Sequence, residues 1–421
     1  MTPFDLSVRF FLQLVVILTA CQATAWALRR LGQPQVVGEM VAGILLGPSL
    51  LGWLLPSVSA FLFPAASMPI LFSFAQVGLV LYMFLVGLEF DVTLIRARAR
   101  PAALVSATGI AVPFALGGLL AWRLHGDPAW PLFGERVSLG QAVLFTGAAM
   151  SVTAFPVLAR IVHEQGLSRT ALGTLVLAAG SLDDAAAWCL LAVALSAFSG
   201  DPSLALLAVG GGGVFLVLML GPGRRLLAPL GERLERDGEM PPALFVRVLV
   251  LLMLAAFATD AMRIYAVFGA FLTGAAMPKG RFAVEITKKI EPLTVGLLLP
   301  LFFVYSGLNT RIGLVTAPGL AVLGLVILAA ACLGKGVACW GAARLAGADP
   351  RDAAATGVLM NARGLMELIM LNIGLERGII RPALFTLMVL MAVATTLAAT
   401  PLYRLVAGAG RAPEGDPAFP A

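Results

Sequence analysis

Long apolar segments separated by short polar ones recur along the chain from end to end. Each is about 20 residues long, the length that a helix needs to cross a hydrocarbon core of about 30 Å. Backbone groups in lipid must be satisfied within the protein, so only helices or closed barrels span a membrane. The segments lack the residue-by-residue alternation of barrel strands. The pattern predicts an all-α polytopic membrane protein with about 13 transmembrane helices. They are expected at about residues 7–28, 34–54, 68–89, 101–123, 139–162, 171–199, 203–221, 242–260, 263–278, 290–308, 317–344, 352–375 and 382–406.

The composition agrees with a chain that is embedded in lipid. Hydrophobic residues make up 60% of the chain and charged residues only 12%, whereas a soluble domain carries about 25% charged residues. The N-terminal MTPFDLSVR has one acid and one base ahead of a segment of spanning length, so we expect no cleaved signal peptide. One transmembrane domain is expected over residues 1–406, followed by a short disordered tail over residues 407–421 that is rich in Gly and Pro.

Basic residues are distributed unevenly between the loops on the two sides of the predicted membrane. With the N-terminus outside, 20 of the 29 Lys and Arg residues fall in cytoplasmic segments, 7 fall on the other side, and Lys335 and Arg363 lie inside predicted spans. Because cytoplasmic loops carry an excess of basic residues, we expect the C-terminus in the cytoplasm and the protein in the cell inner (plasma) membrane. The net charge of +6 has the same origin, so we expect a lipid bilayer and no nucleic acid as partner.

Two pairs of segments repeat each other at a distance. QVVGEMVAGILLGP, ending at Pro48, is echoed by YAVFGAFLTGAAMP, ending at Pro278, and LYMFLVGLEFDVTLI (81–95) is echoed by LFFVYSGLNTRIGLV (301–315). Both pairs are seven spans apart, and an odd offset puts the two copies in opposite orientations. This predicts inverted six-helix repeats at about residues 7–199 and 242–406, joined by a linker helix at about 203–221. Inverted repeats of this kind are typical of secondary transporters with a site near the bilayer midplane.

Two predicted spans carry polar residues beside helix breakers. In TGAAMSVTAFPVLARIV, Ser151 and Thr153 precede Pro156. The matching span of the second repeat, TGVLMNARGLMELIMLNIG, carries Asn361, Arg363, Gly364 and Glu367. Proline removes a backbone donor and glycine weakens a helix entropically, and unwound backbone at membrane depth is tolerated only away from lipid. We therefore expect helix breaks at Pro156 and Gly364 that line a cavity.

Asp183 and Asp184 are adjacent in the middle of an apolar run. An ionised side chain near the bilayer centre costs about 2.5–3.5 kcal/mol on insertion scales, so two of them indicate a site where a proton or a cation neutralises charge. Adjacent helical residues diverge by about 100°, so one carboxylate can line a cavity while the other faces a partner. A purely structural Asp pair held by lysine is the alternative, but it leaves one charge unbalanced.

The segments QPQVVGEMVAGILLGPSLLG, FLVGLEFD, SVTAFPVLARI, the DD pair and NARGLMELIMLNIG resemble the monovalent cation:proton antiporter-2 family. This family includes the Kef- and Nap-type bacterial exchangers and the plant cation/proton exchangers of the CHX type, and the CHX branch is the most similar. The resemblance covers about residues 7–406. It implies a thirteen-helix fold, crossed broken helices in a core domain, a homodimer, and elevator-type exchange of Na⁺ or K⁺ for H⁺ without a cofactor.

The resemblance also implies roles for individual residues. Asp184 matches the cation-binding carboxylate of the family, and Asp183 matches the carboxylate that pairs with a lysine. Lys335 is the only lysine inside any predicted span. Hard cations prefer oxygen ligands, so the hydroxyls of Thr153 and Ser151 are candidate ligands together with Asp184. If Lys335 gave up a proton when the cation binds, two protons would exchange for one cation.

Alternatives remain open for several of these residues. Lys335 has a long stem that can snorkel towards the interface. The preferred interpretation of Arg363 and Glu367 is a local ion pair at i, i+4 that compensates the exposed ends of broken helices. Ser151 and Thr153 can bond back to their own helix. For the whole chain, the alternatives to a cation/proton antiporter are a sodium-coupled solute symporter and a Kef-like potassium efflux system.

Overall fold

The computed structural model describes residues 2–89, 99–167, 170–197, 202–262 and 265–407. Within these residues the fold is all-helical apart from one isolated antiparallel bridge between Phe133 and Ile380, which confirms the all-helical part of the predicted fold class. The predicted disordered tail, apart from its first residue, lies outside the described residues.

Nineteen α-helices are formed by the described residues. They are α1 Pro3–Arg29, α2 Gln35–Leu46, α3 Leu51–Leu54, α4 Pro56–Leu62, α5 Met68–Glu89, α6 Ala99–Leu124, α7 Leu139–Ser151, α8 Phe155–Glu164, α9 Ala171–Ala197, α10 Pro202–Leu218, α11 Arg224–Asp237, α12 Pro242–Ala261, α13 Ala266–Ala276, α14 Arg281–Leu293, α15 Leu299–Leu308, α16 Pro318–Leu345, α17 Pro350–Leu359, α18 Leu365–Glu376 and α19 Pro382–Ala407. Single π-helical turns at Met219–Gly223 and Thr294–Leu298 connect α10 to α11 and α14 to α15.

Nine helical stretches within the described residues are long and apolar enough to cross a membrane. Four of the thirteen predicted spans are not among them. The spans at 139–162 and 352–375 are each interrupted and form α7 with α8 and α17 with α18. The span at 263–278 forms only the 11-residue α13. The span at 171–199 forms the 27-residue α9, which is long enough to cross a membrane although it is not one of the nine stretches.

The chain divides into two compact units. The first contains Met1–Thr19, Ala60–Asp91 and Ala192–Tyr305, and the second contains Ala20–Ser59, Val92–Leu191 and Ser306–Ala421. All ten residues that the sequence singles out for ion binding, charge pairing or helix breaking belong to the second unit.

In the first unit, α5 and α13 cross with their backbones in contact. A Cβ at Gly87 would overlap the carbonyl oxygen of Phe271, so only glycine allows this approach. Lys279, which follows Pro278 after α13, donates from Nζ to the carbonyl oxygens of Gly87 (3.0 Å) and Leu88 (2.7 Å). The lysine thereby satisfies carbonyls that the end of α5 leaves without helical partners.

A similar close approach occurs inside the second unit, between α2 and residues 306–308 at the end of α15. A Cβ at Gly307 would overlap the backbone of Gly43. Ser49, which follows Pro48 after α2, donates from Oγ to the carbonyl oxygen of Thr310 at 2.7 Å and accepts from the backbone N–H of Ile312 at 3.0 Å. The residue after each repeated proline therefore satisfies backbone groups at the end of the crossing helix.

The second unit also contains a short backbone strip beside the Phe133–Ile380 bridge. The N–H of Gly134 donates to the carbonyl oxygen of Ile379 at 3.2 Å, and the N–H of Arg381 donates to that of Leu132 at 2.8 Å. The strip joins the segment before α7 to the segment between α18 and α19, so the two interrupted helix pairs are connected at this end.

Candidate functional site

The first interrupted pair is α7 and α8. The capping box of Ser138 and Gln141 fixes the start of α7, and the helix stops at Ser151. Residues 152–154 are extended, and α8 then begins at Phe155. Pro156 is the second residue of α8, a position where the missing N–H removes no helical hydrogen bond. The interruption thus lies at residues 152–154, just ahead of the proline, and Pro156 itself is helical.

The second interrupted pair is α17 and α18, separated by residues 360–364. Gly364 caps α18 with φ 155° and ψ −120°, a conformation that side chains disfavour. A Cβ there would lie 3.2 Å from Cγ2 of Val157 on α8. The N–H of Ala154 in the first break donates to the carbonyl oxygen of Ala362 in the second at 3.0 Å. The two breaks are thus in direct backbone contact.

Thr396 on α19 satisfies the backbone of the second break. Its hydroxyl oxygen lies 2.7 Å from the carbonyl oxygen of Arg363 and 2.8 Å from that of Ala392 on its own helix, and these two acceptors share its single proton. The hydroxyl also accepts from the N–H of Arg363 at 3.1 Å. Sequence reasoning missed this residue, although a pair of adjacent threonines inside an apolar helix was a signal for it. Because buried backbone groups need partners, this hydroxyl replaces the helical bonds that the break removes.

Replacing Thr396 with valine keeps the shape of the side chain and removes both bonds to Arg363. We expect the free energy of unfolding to fall by about 1–3 kcal/mol, because two buried backbone groups lose their partner. Thr395→Val is the matched control, since the one hydrogen bond of the Thr395 hydroxyl among the described residues goes to the Ala392 carbonyl of its own helix. Chemical unfolding in detergent measures both variants, and equal losses would contradict the role given to Thr396.

Two buried cations meet the carbonyl end of α7. Lys335 Nζ lies 2.5 Å from the carbonyl oxygen of Ser151, and Arg363 Nη2 lies 2.6 Å from that of Met150. A helix C-terminus carries unpaired carbonyls and a partial negative charge. Both cations therefore sit where the helix end stabilises positive charge.

Asp183 on α9 is the carboxylate that pairs with the lysine. Its Oδ2 lies 3.0 Å from Lys335 Nζ and accepts a hydrogen bond from the Thr153 hydroxyl at 2.6 Å. Its Oδ1 has no partner among the described residues. The Ser151 hydroxyl instead donates to the Ala148 carbonyl of its own helix at 2.8 Å, so Ser151 meets the charged cluster through its carbonyl oxygen.

Asp184 is buried like its neighbour but lacks a cationic partner. Neither of its carboxylate oxygens has a hydrogen-bond partner within the described part of the chain. The backbone N–H of Phe155, at the start of α8, faces this carboxylate without forming a regular hydrogen bond. The Thr153 hydroxyl is bonded to Asp183, so a cation at Asp184 would meet Thr153 only through the lone pairs that remain on that oxygen.

The remaining predicted residues lie around the second break. Arg363 Nη1 and Glu367 Oε2 are 3.5 Å apart, and both side chains are fully buried. Asn361 donates from Nδ2 to the carbonyl oxygens of Gly357 at 3.0 Å and Cys332 at 3.3 Å. Asn361 therefore joins α17 to α16, and none of its hydrogen bonds goes to the aspartate pair.

Five ionisable groups form the buried charge of this site, and each is at most 1% exposed. They are Asp183, Asp184, Lys335, Arg363 and Glu367. Three carboxylates face two cations, so the fully ionised set carries one excess negative charge. Since an uncompensated buried charge costs several kcal/mol, this arrangement favours uptake of one proton or one monovalent cation.

Buried carboxylate oxygens without partners among the described residues lie beside two helix breaks, and sequence comparison identifies the family. Residues 15–406 match the family model described as "Sodium/hydrogen exchanger, transmembrane". The chain belongs to this family, and its resemblance to the cation:proton antiporters is confirmed.

Curated relatives and one solved structure resemble the chain over most of its length. It is 39% identical over 396 residues to the Na(+)/H(+) antiporter NhaS4 of Synechocystis sp., covering 92% of this chain and 95% of that protein. It is also 39% identical over 418 residues to Cation/H(+) antiporter 19 of Arabidopsis thaliana, of which it spans about half (50%) while 96% of this chain is covered. The sodium proton antiporter MjNhaP1 of Methanocaldococcus jannaschii shares the fold, with a TM-score of 0.68, 16% identity and coverage of 95% of this chain and 98% of that one.

Proposed function

We propose that this protein is a secondary active antiporter that exchanges Na⁺ or K⁺ for protons across the membrane by alternating access. The observation that carries the proposal is Asp184, a buried carboxylate with both oxygens unpaired, inside a cluster with one excess negative charge. The names of the curated relatives, which include Na(+)/H(+) and K(+)/H(+) antiporters, support exchange of a monovalent cation.

Competition at Asp184 couples the two ions. With a proton on Asp184 the cluster is neutral without a cation, and with a cation bound it is neutral without that proton. Either state can be buried at low cost, whereas the empty ionised state cannot. Since hard cations bind oxygen ligands, Asp184 with the remaining lone pairs of Thr153 and unwound carbonyls near residues 152–154 would hold the cation.

The inverted-repeat architecture is part of the same proposal. The two glycines of the repeated GL segments, Gly87 and Gly307, each lie in a backbone crossing, and the residues after the repeated prolines, Ser49 and Lys279, both bond the end of the crossing helix. This correspondence supports two six-helix repeats of opposite orientation, the linker helix, thirteen spans in total and crossed broken helices in a core domain. We further propose an elevator-type movement, a homodimer, and insertion in the plasma membrane with the C-terminus in the cytoplasm.

Purified protein in liposomes with a trapped pH-sensitive dye tests the function. After the lumen is made acidic relative to the outside, addition of NaCl or KCl outside is expected to alkalinise the lumen, because inward movement of the cation drives protons out. Choline chloride is expected to leave the pH of the lumen unchanged. The cation with the larger response identifies the substrate. A response to K⁺ alone would identify the potassium-efflux type of exchange.

The same preparation separates antiport from symport. A sodium-coupled symporter would leave the proton gradient intact when Na⁺ is added and would take up Na⁺ only together with an organic solute. Absence of any cation-driven proton movement in wild-type protein, with intact liposomes verified by an ionophore, would overturn the antiporter proposal.

A further inference from the structure

The ion pair between Arg363 and Glu367 is poorly formed. Glu367 is the third residue of α18 and is fully buried. Its Oε2 lies 3.5 Å from Arg363 Nη1, well beyond the 2.7–2.9 Å that is typical of a charge-assisted hydrogen bond. Its Oε1 has no partner among the described residues. Half of this buried carboxylate is therefore unsatisfied, and the other half is weakly held.

Arg363 makes its strong contact elsewhere. Nη2 donates to the carbonyl oxygen of Met150 at 2.6 Å, while Nη1 is shared at 3.5 Å between Glu367 and the carbonyl oxygen of Ala149. The guanidinium thus faces the carbonyl end of α7, where the helix dipole stabilises its charge. Arg363 does not require an ionised Glu367 as its partner.

Lys335, the other candidate for a second exchangeable proton, is bound much better. Its ammonium contacts the Ser151 carbonyl at 2.5 Å and Asp183 Oδ2 at 3.0 Å. Removing a proton from this group would break a good ion pair and leave Asp183 as an uncompensated buried charge. Protonation of Glu367 breaks only a long contact. Protonation of Glu367 therefore costs less free energy than deprotonation of Lys335.

We propose that Glu367 carries the second proton of the exchange cycle, while Lys335 keeps its proton throughout. In the proton-loaded state both Asp184 and Glu367 hold a proton, and the cluster carries one positive charge, which the carbonyl end of α7 at Met150 and Ser151 stabilises. In the cation-loaded state both are ionised, and the bound cation brings the cluster to neutrality. One cation thus replaces two protons, and the net charge of the cluster falls by one. This inference rests on the proposed antiport function and adds its stoichiometry.

The surroundings of Glu367 hold few other groups that could titrate in its place. Arg363 and Lys335 are the cations that act on it. Helix α7, which packs against α18, has no ionisable residue, and the ionisable residues of α19 are Tyr403 and Arg404 near its far end. A change in proton count after substitution of Glu367 can therefore be assigned to Glu367 itself.

Proton release on cation binding provides the test. Purified protein in weakly buffered detergent solution is titrated with NaCl or KCl, and a pH dye reports the protons released per cation bound across a range of pH. Wild type is expected to release up to about two protons per cation and Glu367→Gln about one, with a correspondingly shallower dependence of the apparent cation affinity on pH. Glu376→Gln, an exposed carboxylate at the end of the same helix, is the matched control and is expected to behave as wild type.

The proton counts distinguish a wrong assignment of Glu367 from a failure of antiport itself. If Glu367 serves only to hold Arg363, Glu367→Gln will release as many protons as wild type, and the proposal is wrong while antiport stands. If wild type binds a cation without releasing protons, the antiport function itself fails. Should Glu367→Gln unfold, the double substitution Arg363→Gln with Glu367→Gln removes the pair together, and a wild-type proton count in that variant would likewise overturn the proposal.

Discussion

Replacing Asp184 with asparagine is expected to abolish cation-driven proton movement in liposomes, down to the level of liposomes without protein. Asparagine has almost the same shape but holds neither a proton nor a negative charge that a cation can neutralise. Because neither oxygen of Asp184 has a hydrogen-bond partner among the described residues, the substitution breaks no hydrogen bond within that part of the chain. It also removes the excess buried charge, so the variant is expected to melt at or above the temperature of wild type.

The combination of lost transport and retained stability distinguishes an ion site from a structural carboxylate. Asp260→Asn is the matched control, since Asp260 is an exposed aspartate near the end of α12, and it should transport as wild type does. If Asp184→Asn still exchanges cations for protons, the carboxylate assigned to the cation is wrong. If it fails to fold, Asp184 has a structural role that its unpaired oxygens do not indicate.

Replacing Lys335 with methionine is expected to cost about 3–5 kcal/mol in the free energy of unfolding, since one partner of a buried pair is removed and the other is left charged. Asp183 would keep only the Thr153 hydroxyl as a donor to Oδ2, and the Ser151 carbonyl would lose its donor. Thermal and chemical unfolding in detergent measure the loss. Lys288→Met is the control, because Lys288 is 67% exposed in a surface pair with Glu285 and such pairs contribute about 0–1 kcal/mol.

A second substitution separates the charge effect from the loss of side-chain volume. Combining Lys335→Met with Asp183→Asn removes both charges of the pair, and we expect most of the lost stability to return. If the double variant is as unstable as Lys335→Met, the lost stability does not come from an unbalanced charge on Asp183. Under the assignment of the second proton to Glu367, the double variant should still release protons when it binds a cation.

Long apolar helices were the part of the fold that the sequence determined best. The predicted spans 68–89 and 382–406 correspond to α5, Met68–Glu89, and α19, Pro382–Ala407, because unbroken apolar runs leave few alternatives in lipid. Backbone chemistry pointed to the neighbourhood of Pro156 and Gly364, where the interruptions lie at residues 152–154 and 360–364. The count of thirteen spans stays a prediction, since the interrupted and short helices depend on packing that a hydropathy pattern does not contain.

Contacts within the site were less accessible from sequence. Lys335 contacts the carbonyl of Ser151 and not its hydroxyl, and Thr153 bonds to Asp183 and not to Asp184. Both pairings depend on where α7 ends in space. The bonds of Thr396 to the second break and of Arg363 to the first join residues 33 and 213 positions apart. The residue types at these positions limit which hydrogen bonds can form. Which residues bond to each other follows from the contact between the two breaks.

The backbone strip beside Phe133 and Ile380 has a mechanical consequence. Together with the Ala154–Ala362 hydrogen bond, it fastens the α7–α8 and α17–α18 pairs at two separate levels. Two bodies held by hydrogen bonds at two separate places move relative to one another less freely than two bodies held at one place. In the elevator-type movement that we propose, this linkage would let the two helix pairs move together and keep the residues of the candidate ion site in their relative positions.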